Sequence, residues 1–153
     1  RIFIAKMSTK GFVDQRLIPF AAKSADIDVD LHHALLNSLL GLLMIEASGF
    51  GRGLGALDLS ATKIRDGLFM LNPALISEEA ADKIKEFFAA FKDEEVLPLD
   101  EEISKDKRVN FDREVLTAFG IAEFEDRIRN SLLQIYAVRT SVLTTRHALA
   151  AEA

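Results

Sequence analysis

The segment from Leu31 to Ala47 constrains the fold most, because it is long enough for a helix and apolar on nearly every side. Its leucine and alanine content favours a helix, and Asp28 or Asp30 can cap the start. Gly49 is placed to end it. A helix that is apolar all round is buried on more than one side. We therefore predict that this segment is the central core helix of the fold.

The same segment is too short to cross a bilayer, and Asn37, Ser38 and Glu46 interrupt it. A chain of 153 residues makes one domain, or one domain with a helical appendage. The absence of cysteine excludes disulfides, thiolate zinc sites and cysteine nucleophiles. The chain starts at Arg1 without a basic and apolar leader. We expect a cytoplasmic protein without a signal peptide, and a chain that is one piece of a longer protein.

Four short segments of the first half are typical of strands. They are Ile2–Ala5, Arg16–Phe20, Ala56–Ser60 and Leu68–Leu71, rich in branched and aromatic residues or bounded by turn residues. A glycine-rich stretch, Gly49–Gly55, precedes the third and is expected to be a flexible loop. These segments predict a small, mostly antiparallel sheet around the buried helix.

The second half is predicted to be helical. Ser77 can cap a helix with a stripe of phenylalanines, and a second helix runs from about Asp106 to Phe119, closed by Gly120. A third amphipathic helix covers roughly residues 122–147. The predicted fold class is therefore α+β, with an α+β part at residues 1–76 and an all-helical C-terminal tail at residues 77–153.

Charge is distributed unevenly between the two halves. Residues 1–72 carry eight Lys or Arg and seven Asp or Glu, whereas residues 73–153 carry eleven and seventeen. Because phosphate contacts need cations, a nucleic-acid surface is expected only in the first half. Its basic residues fall in strands, loops or turns, where residues that contact DNA are often found. The candidate DNA-binding residues are Lys6, Lys10, Arg16, Lys23, Arg52, Lys63 and Arg65. Ordinary solubilising charge is the alternative interpretation.

Several other motifs do not carry the chemistry that they suggest. Gly51-x-Gly53-x-x-Ala56 matches a dinucleotide fingerprint, but a helix precedes it where that motif needs a strand. Asp26-x-Asp28-x-Asp30 lacks the later glycine and glutamate of a calcium loop. The adjacent His32 and His33 point about 100° apart on a helix, so they do not share a metal easily. No catalytic residue, metal ligand or cofactor-binding residue is predicted.

The order of several segments resembles a known family. The segments are Leu31-His-His-Ala-Leu-Leu-Asn37-Ser38, Gly49-Phe-Gly-Arg-Gly-Leu-Gly-Ala-Leu-Asp-Leu59, Lys63-Ile64, Leu71-Asn72-Pro73, and the stretch from Ile103 to Ile121. Together they resemble the target-recognition region and C-terminal tail of bacterial adenine-specific (N6) DNA methyltransferases from restriction–modification systems. The type I specificity subunits have a similar order. The resemblance covers most of residues 17–140.

The resemblance implies a recognition domain for double-stranded DNA, and not the catalytic domain. Asn72-Pro73-Ala74-Leu75 lacks the second proline and the aromatic residue of the family's catalytic motif, and the cofactor motif is absent. The resemblance therefore implies that S-adenosylmethionine binding and methyl transfer belong to an upstream catalytic domain of the parent chain. The expected partners are double-stranded DNA, that catalytic domain, and a restriction or translocase subunit.

Two other functions stay open at this stage. The chain could be a protein-interaction module that docks a nuclease or translocase through its helices. It could also be a small unrelated enzyme, although no catalytic constellation in the sequence supports this. Salt-dependent DNA binding separates the first expectation from both alternatives.

Overall fold

The fold is known from a computed structural model, which describes residues 2–7, 11, 17–52 and 56–151. Side chains are described for these residues except Arg52 and residues 142–151. This part of the chain is mostly helical. The helices are α1 (Val29–Leu36), α2 (Leu39–Ser48), α3 (Ala61–Gly67), α4 (Glu78–Ala89), α5 (Leu99–Glu102), α6 (Asp106–Ala118) and α7 (Glu125–Ala151), with short 3-10 turns at Pro73–Leu75 and Ala122–Phe124.

The sheet of the described residues is a single hairpin of two short antiparallel strands. Strand β1 is Phe50–Arg52 and strand β2 is Ala56–Asp58, with Gly51 paired to Leu57. The prediction of a small antiparallel sheet is confirmed in this coarse sense. Strand β1 takes up Phe50–Arg52 of the stretch that was predicted to be a flexible loop. Because most of the described residues are helical, α+β describes the fold only loosely.

The other predicted strands were wrong, and two of these segments contact helices or the core where a neighbouring strand was expected. At Ile2–Ala5, the backbone N–H and C=O of Ile4 both bond to the Asn37 side chain. Residues 68–71 follow α3 and form no strand, and Leu71 packs into the core. Residues 17–20 form no strand either, and Arg16 lies outside the described residues.

The predicted central helix is two helices with a break at Asn37 and Ser38. Asp28 caps α1 as expected, accepting a hydrogen bond from Leu31 N at 2.8 Å. The hydroxyl of Ser38 caps α2 by accepting from Gly41 N at 3.2 Å. A Cβ at Gly41 would overlap backbone atoms of α1, so a larger residue would not fit beside this break. Gly49 follows the end of α2, as predicted.

The helices of the second half agree with the sequence. Ser77 caps α4 through a hydrogen bond from Ala80 N at 3.2 Å. Gly120 follows α6 with a φ of 67°, a left-handed conformation that glycine adopts without strain. None of the helices in the described part of the chain combines the length and the apolar character needed to span a membrane.

Two hydrophobic clusters form the core of the part of the chain that the structure describes. The first joins α1, α4 and α6 around Leu35, Phe88 and Phe111. The second joins α2, α5, α6 and α7, and Leu39 and Leu132 are fully buried within it. Each cluster contains residues from both sides of residue 76. The division into an α+β part at residues 1–76 and a helical tail at residues 77–153 stays a prediction.

A buried polar network fixes the break between α1 and α2. Arg108 donates from Nε to Asp112 Oδ2 at 2.9 Å and also binds the Asn37 carbonyl. Asp112 Oδ1 accepts from Leu39 N at 2.7 Å, next to the N-terminus of α2. Burial raises the pKa of the Asp112 carboxyl, while the Arg108 guanidinium counteracts the shift. The network therefore ties the helix break to α6.

Candidate nucleic-acid interface

The hairpin is held against the helices by its inward face. A Cβ at Gly49 would overlap the Leu57 side chain, so β2 lies closely on the end of α2. A Cβ at Gly51 would lie 3.4 Å from Cγ of Arg139 on α7. Since successive strand residues face opposite sides, Gly51 and Leu57 define the face that packs on the helices.

A buried ion pair lies beneath this face of the hairpin. Glu46 on α2 is 2% exposed, and Arg139 donates from Nη2 to its Oε2 at 3.2 Å. The guanidinium carbon of Arg139 also lies 5.2 Å from the ring centroid of Tyr136. Removing one partner of such a pair leaves a buried charge uncompensated, which is costly. The hairpin therefore packs on α2 and α7 where this ion pair holds the two helices together.

The outward face carries Phe50 and Asp58, which are paired across the two strands. Phe50 is 45% exposed, and the amine Nζ of Lys63 lies 5.7 Å from its ring centroid. Lys63 is on α3, the helix that follows the hairpin, and this helix contacts α2. An exposed aromatic ring, a carboxylate and a cation are thus brought together on one surface.

The structure places the predicted DNA-binding residues differently from one another. Lys63 lies at the hairpin, and Arg65 is exposed on the same helix, where its Nε donates to Asp66 at 2.8 Å. The backbone of Arg52 ends β1 opposite Ala56, but its side chain lies outside the described part of the chain.

The remaining predicted cations are not joined to the hairpin by any described contact. Lys6 forms an ion pair with Asp30 at the start of α1. Lys23 is exposed in the turn before α1. Lys10 and Arg16 lie outside the described residues.

Most cations of the acidic half serve the protein itself. Arg108 is 1% exposed between the rings of Phe91 and Phe111, at 5.6 and 5.7 Å from their centroids. Ion pairs also join Lys105 to Glu102, and Arg113 and Arg129 to Glu125. Cations engaged in this way are poorly placed to bind an external phosphate.

The polar residues that organise the fold around this surface were not predicted from the sequence. Asn37 and Glu46 appeared only as interruptions of an apolar helix, yet each is buried with its hydrogen-bonding groups satisfied. Their position within that apolar stretch was the available signal. No signal in the sequence indicated the pairing of Phe50 with Asp58, because it depends on the hairpin register.

Among the described residues, no cluster of three or more His, Asp or Glu side chains is arranged to hold a metal ion. The surface consists of a glycine-containing ribbon, an exposed aromatic ring, a carboxylate and neighbouring cations, which can bind a ligand through stacking, ion pairs and hydrogen bonds. In comparisons with known proteins, the chain matches no protein-family model, no curated protein and no solved structure.

Proposed function

We propose that this chain is a sequence-specific recognition domain for double-stranded DNA, serving an adenine-specific DNA methyltransferase or a related restriction–modification enzyme. The single observation that carries the proposal is the anchored β-hairpin with Lys63 at its outward face. The family resemblance of the sequence supplies the class of the parent enzyme. In this proposal, S-adenosylmethionine and the methyl transfer belong to another domain of the parent.

The shape of the hairpin supports DNA contact. The major groove of B-DNA admits a two-stranded β-ribbon, and the hairpin is such a ribbon. Its inward face is fixed on α2 and α7, so the outward face can approach DNA without a large ordering cost. Arginine pairs with guanine edges and aspartate accepts from cytosine, so Arg52 and Asp58 have suitable chemistry for reading bases.

The charge distribution supports the same orientation. Lys63 and Arg65 lie on the helix next to the hairpin. Residues 73–153 contribute scaffold helices, and most of their cations are engaged by carboxylates or aromatic rings. In the proposal, this half faces away from phosphates.

The test is the salt dependence of DNA binding by the 153-residue chain and by Lys63→Gln/Arg65→Gln. Affinity for short duplexes of mixed sequence falls as the salt concentration rises, and each cation that contacts a phosphate adds about one to the magnitude of the slope of log affinity against log salt. We expect the double variant to bind more weakly and to show a shallower decline of affinity with salt.

The matched control is Lys83→Gln/Arg127→Gln, which removes two exposed cations of the acidic half. This control should bind as the wild type does. A wild-type chain that binds no duplex at low salt contradicts the proposal. Equal losses in the two double variants contradict the assignment of the surface.

A protein-interaction module is the second candidate, favoured by apolar side chains exposed on α7. Val138 is 74% exposed and Ile135 is 37% exposed, one helical turn apart. Val138→Glu would weaken binding of a nuclease or translocase subunit and leave duplex affinity unchanged. Subunit binding in the absence of any DNA affinity would favour this candidate over the first.

A further inference from the structure

The ring of Phe50 lies on the outward face of the hairpin. It is 45% exposed although phenylalanine gains by burial, and it lies on β1, which contacts α7. Lys63 places its amine 5.7 Å from the ring centroid, within the range of a cation–π contact. The amine lies over the ring, so an aromatic surface and a positive charge are exposed together on a strand that packs against α7.

We propose that Phe50 and Lys63 form a stacking site for an unpaired DNA base, with the base on the Phe50 ring and its phosphate near Lys63. The inference rests on the proposed function and adds a ligand to it, namely a nucleobase that has left its stack. Proteins that bind unstacked DNA combine aromatic rings with a cationic path for the backbone. The Phe50 ring and the Lys63 amine supply the aromatic group and the cation, and they contact each other.

The mount of the hairpin makes such a site effective. Leu57 lies closely on Gly49, and Gly51 lies against Arg139, so β1 is held from behind. The Glu46–Arg139 pair is buried beneath it. A ring held by a constrained strand loses little freedom when a base stacks on it.

Stacking is sequence-tolerant, because every base has a π-face. The site would therefore strengthen binding to DNA with an accessible base without specifying which base it is. Direct reading of sequence would remain with the edges of paired bases in the groove. The expected preference is for DNA that contains an unpaired base over the same duplex when fully paired.

The chain has no tryptophan, so Phe50→Trp introduces a single indole reporter. The probes are a fully paired duplex of mixed sequence, the same duplex with one base opposite an abasic position, and the single strand alone. We expect the indole fluorescence of Phe50→Trp to be quenched most by the two probes with unpaired bases. Phe69→Trp, at a ring that is 62% exposed, is the control and should show no such difference.

The affinity of Phe50 variants provides the second measurement. Phe50→Leu should weaken binding to the unpaired-base probes by about 5- to 150-fold, the loss of one base–aromatic stack. Phe50→Tyr should retain the wild-type affinity. Matched thermal melting of the variants shows whether the fold is intact.

The outcomes separate this inference from the proposed function. If the wild type binds duplex but Phe50→Leu binds each probe with the affinity of the wild type, the stacking site is wrong and the DNA proposal stands. If Phe50→Tyr is as weak as Phe50→Leu on the unpaired-base probes, the inference is also overturned. If the wild type binds none of the probes, both proposals fall.

Discussion

At the scale of single residues, His33 shows how a half-buried group makes stability depend on pH. Its Nε2 lies 2.7 Å from the Ile4 carbonyl oxygen, and its ring meets the rings of Phe3 and Phe88 edge-on. Burial lowers the pKa of His33, although the hydrogen bond to Ile4 opposes the shift. Folding therefore favours the neutral ring over the protonated ring.

The sign of the pH effect follows from this direction. The unfolded histidine has a pKa of about 6.5, and the folded pKa is lower, so acid adds protons to the unfolded state first. The stability contribution of His33 should be complete above about pH 6.5 and fall as the pH drops through the folded pKa. Urea unfolding at neutral and mildly acidic pH measures it. His33→Gln should reduce this dependence and His32→Gln should retain it; identical pH profiles for wild type and His33→Gln would contradict the assignment.

Single residues with local roles were the most predictable from sequence. Asp28 and Ser77 cap helices because a side-chain oxygen needs only a backbone N–H a few residues ahead. The position of Lys63 was not predictable in this way. Its contact with Phe50 requires both the hairpin and the packing of α3. Local sequence patterns do not indicate how α3 packs against the hairpin.

At the scale of elements, the break between α1 and α2 shows where hydrophobic patterning fails. The stretch from Leu31 to Ala47 reads as one helix, because leucines on all faces match a buried helix of any length. Asn37 changes this, since its Oδ1 accepts from Ile4 N at 2.8 Å and its Nδ2 donates to Ile4 O at 2.9 Å. The amide thus takes the place of the strand partner that Ile2–Ala5 was expected to have. This contact accounts for the missing strand, and together with the Ser38 cap and the Arg108–Asp112 network it accounts for the helix break.

Asn37→Ala tests this account. Ile4 N loses its acceptor, while the Ile4 carbonyl keeps the His33 ring nitrogen. Leaving a polar group without its hydrogen bond inside a protein costs about 1–3 kcal/mol, so the free energy of unfolding should fall by roughly that amount. Asn130→Ala, at an exposed position on α7, is the control and should change stability little. Urea denaturation followed by circular dichroism gives both values. A midpoint for Asn37→Ala equal to that of the control would mean that water replaces the amide at no cost.

At the scale of the whole molecule, the core links the two halves of the sequence. Leu39 on α2 is fully buried in the cluster that also contains Leu99, Leu116 and Leu132. Helical content and burial of α2 were predictable, because both follow from composition. The identity of the partners was not, since α7 lies some ninety residues further along the chain. The candidate surface depends on the same packing, because the hairpin is mounted on α2 and α7 together.

Leu39→Ala tests this linkage, with Leu40→Ala as its matched neighbour. Leu39 is fully buried and Leu40 is only half-buried, so Leu39→Ala should cost about 2–5 kcal/mol through lost burial and a cavity, and Leu40→Ala clearly less. Tyr136 on α7 is the only tyrosine and packs against the same cluster, so its fluorescence reports on the second half. In Leu39→Ala, the midpoints from Tyr136 fluorescence and from circular dichroism should shift together. A Tyr136 midpoint that stays at the wild-type value while the helical signal shifts would show that residues 1–76 and 77–153 unfold as separate units.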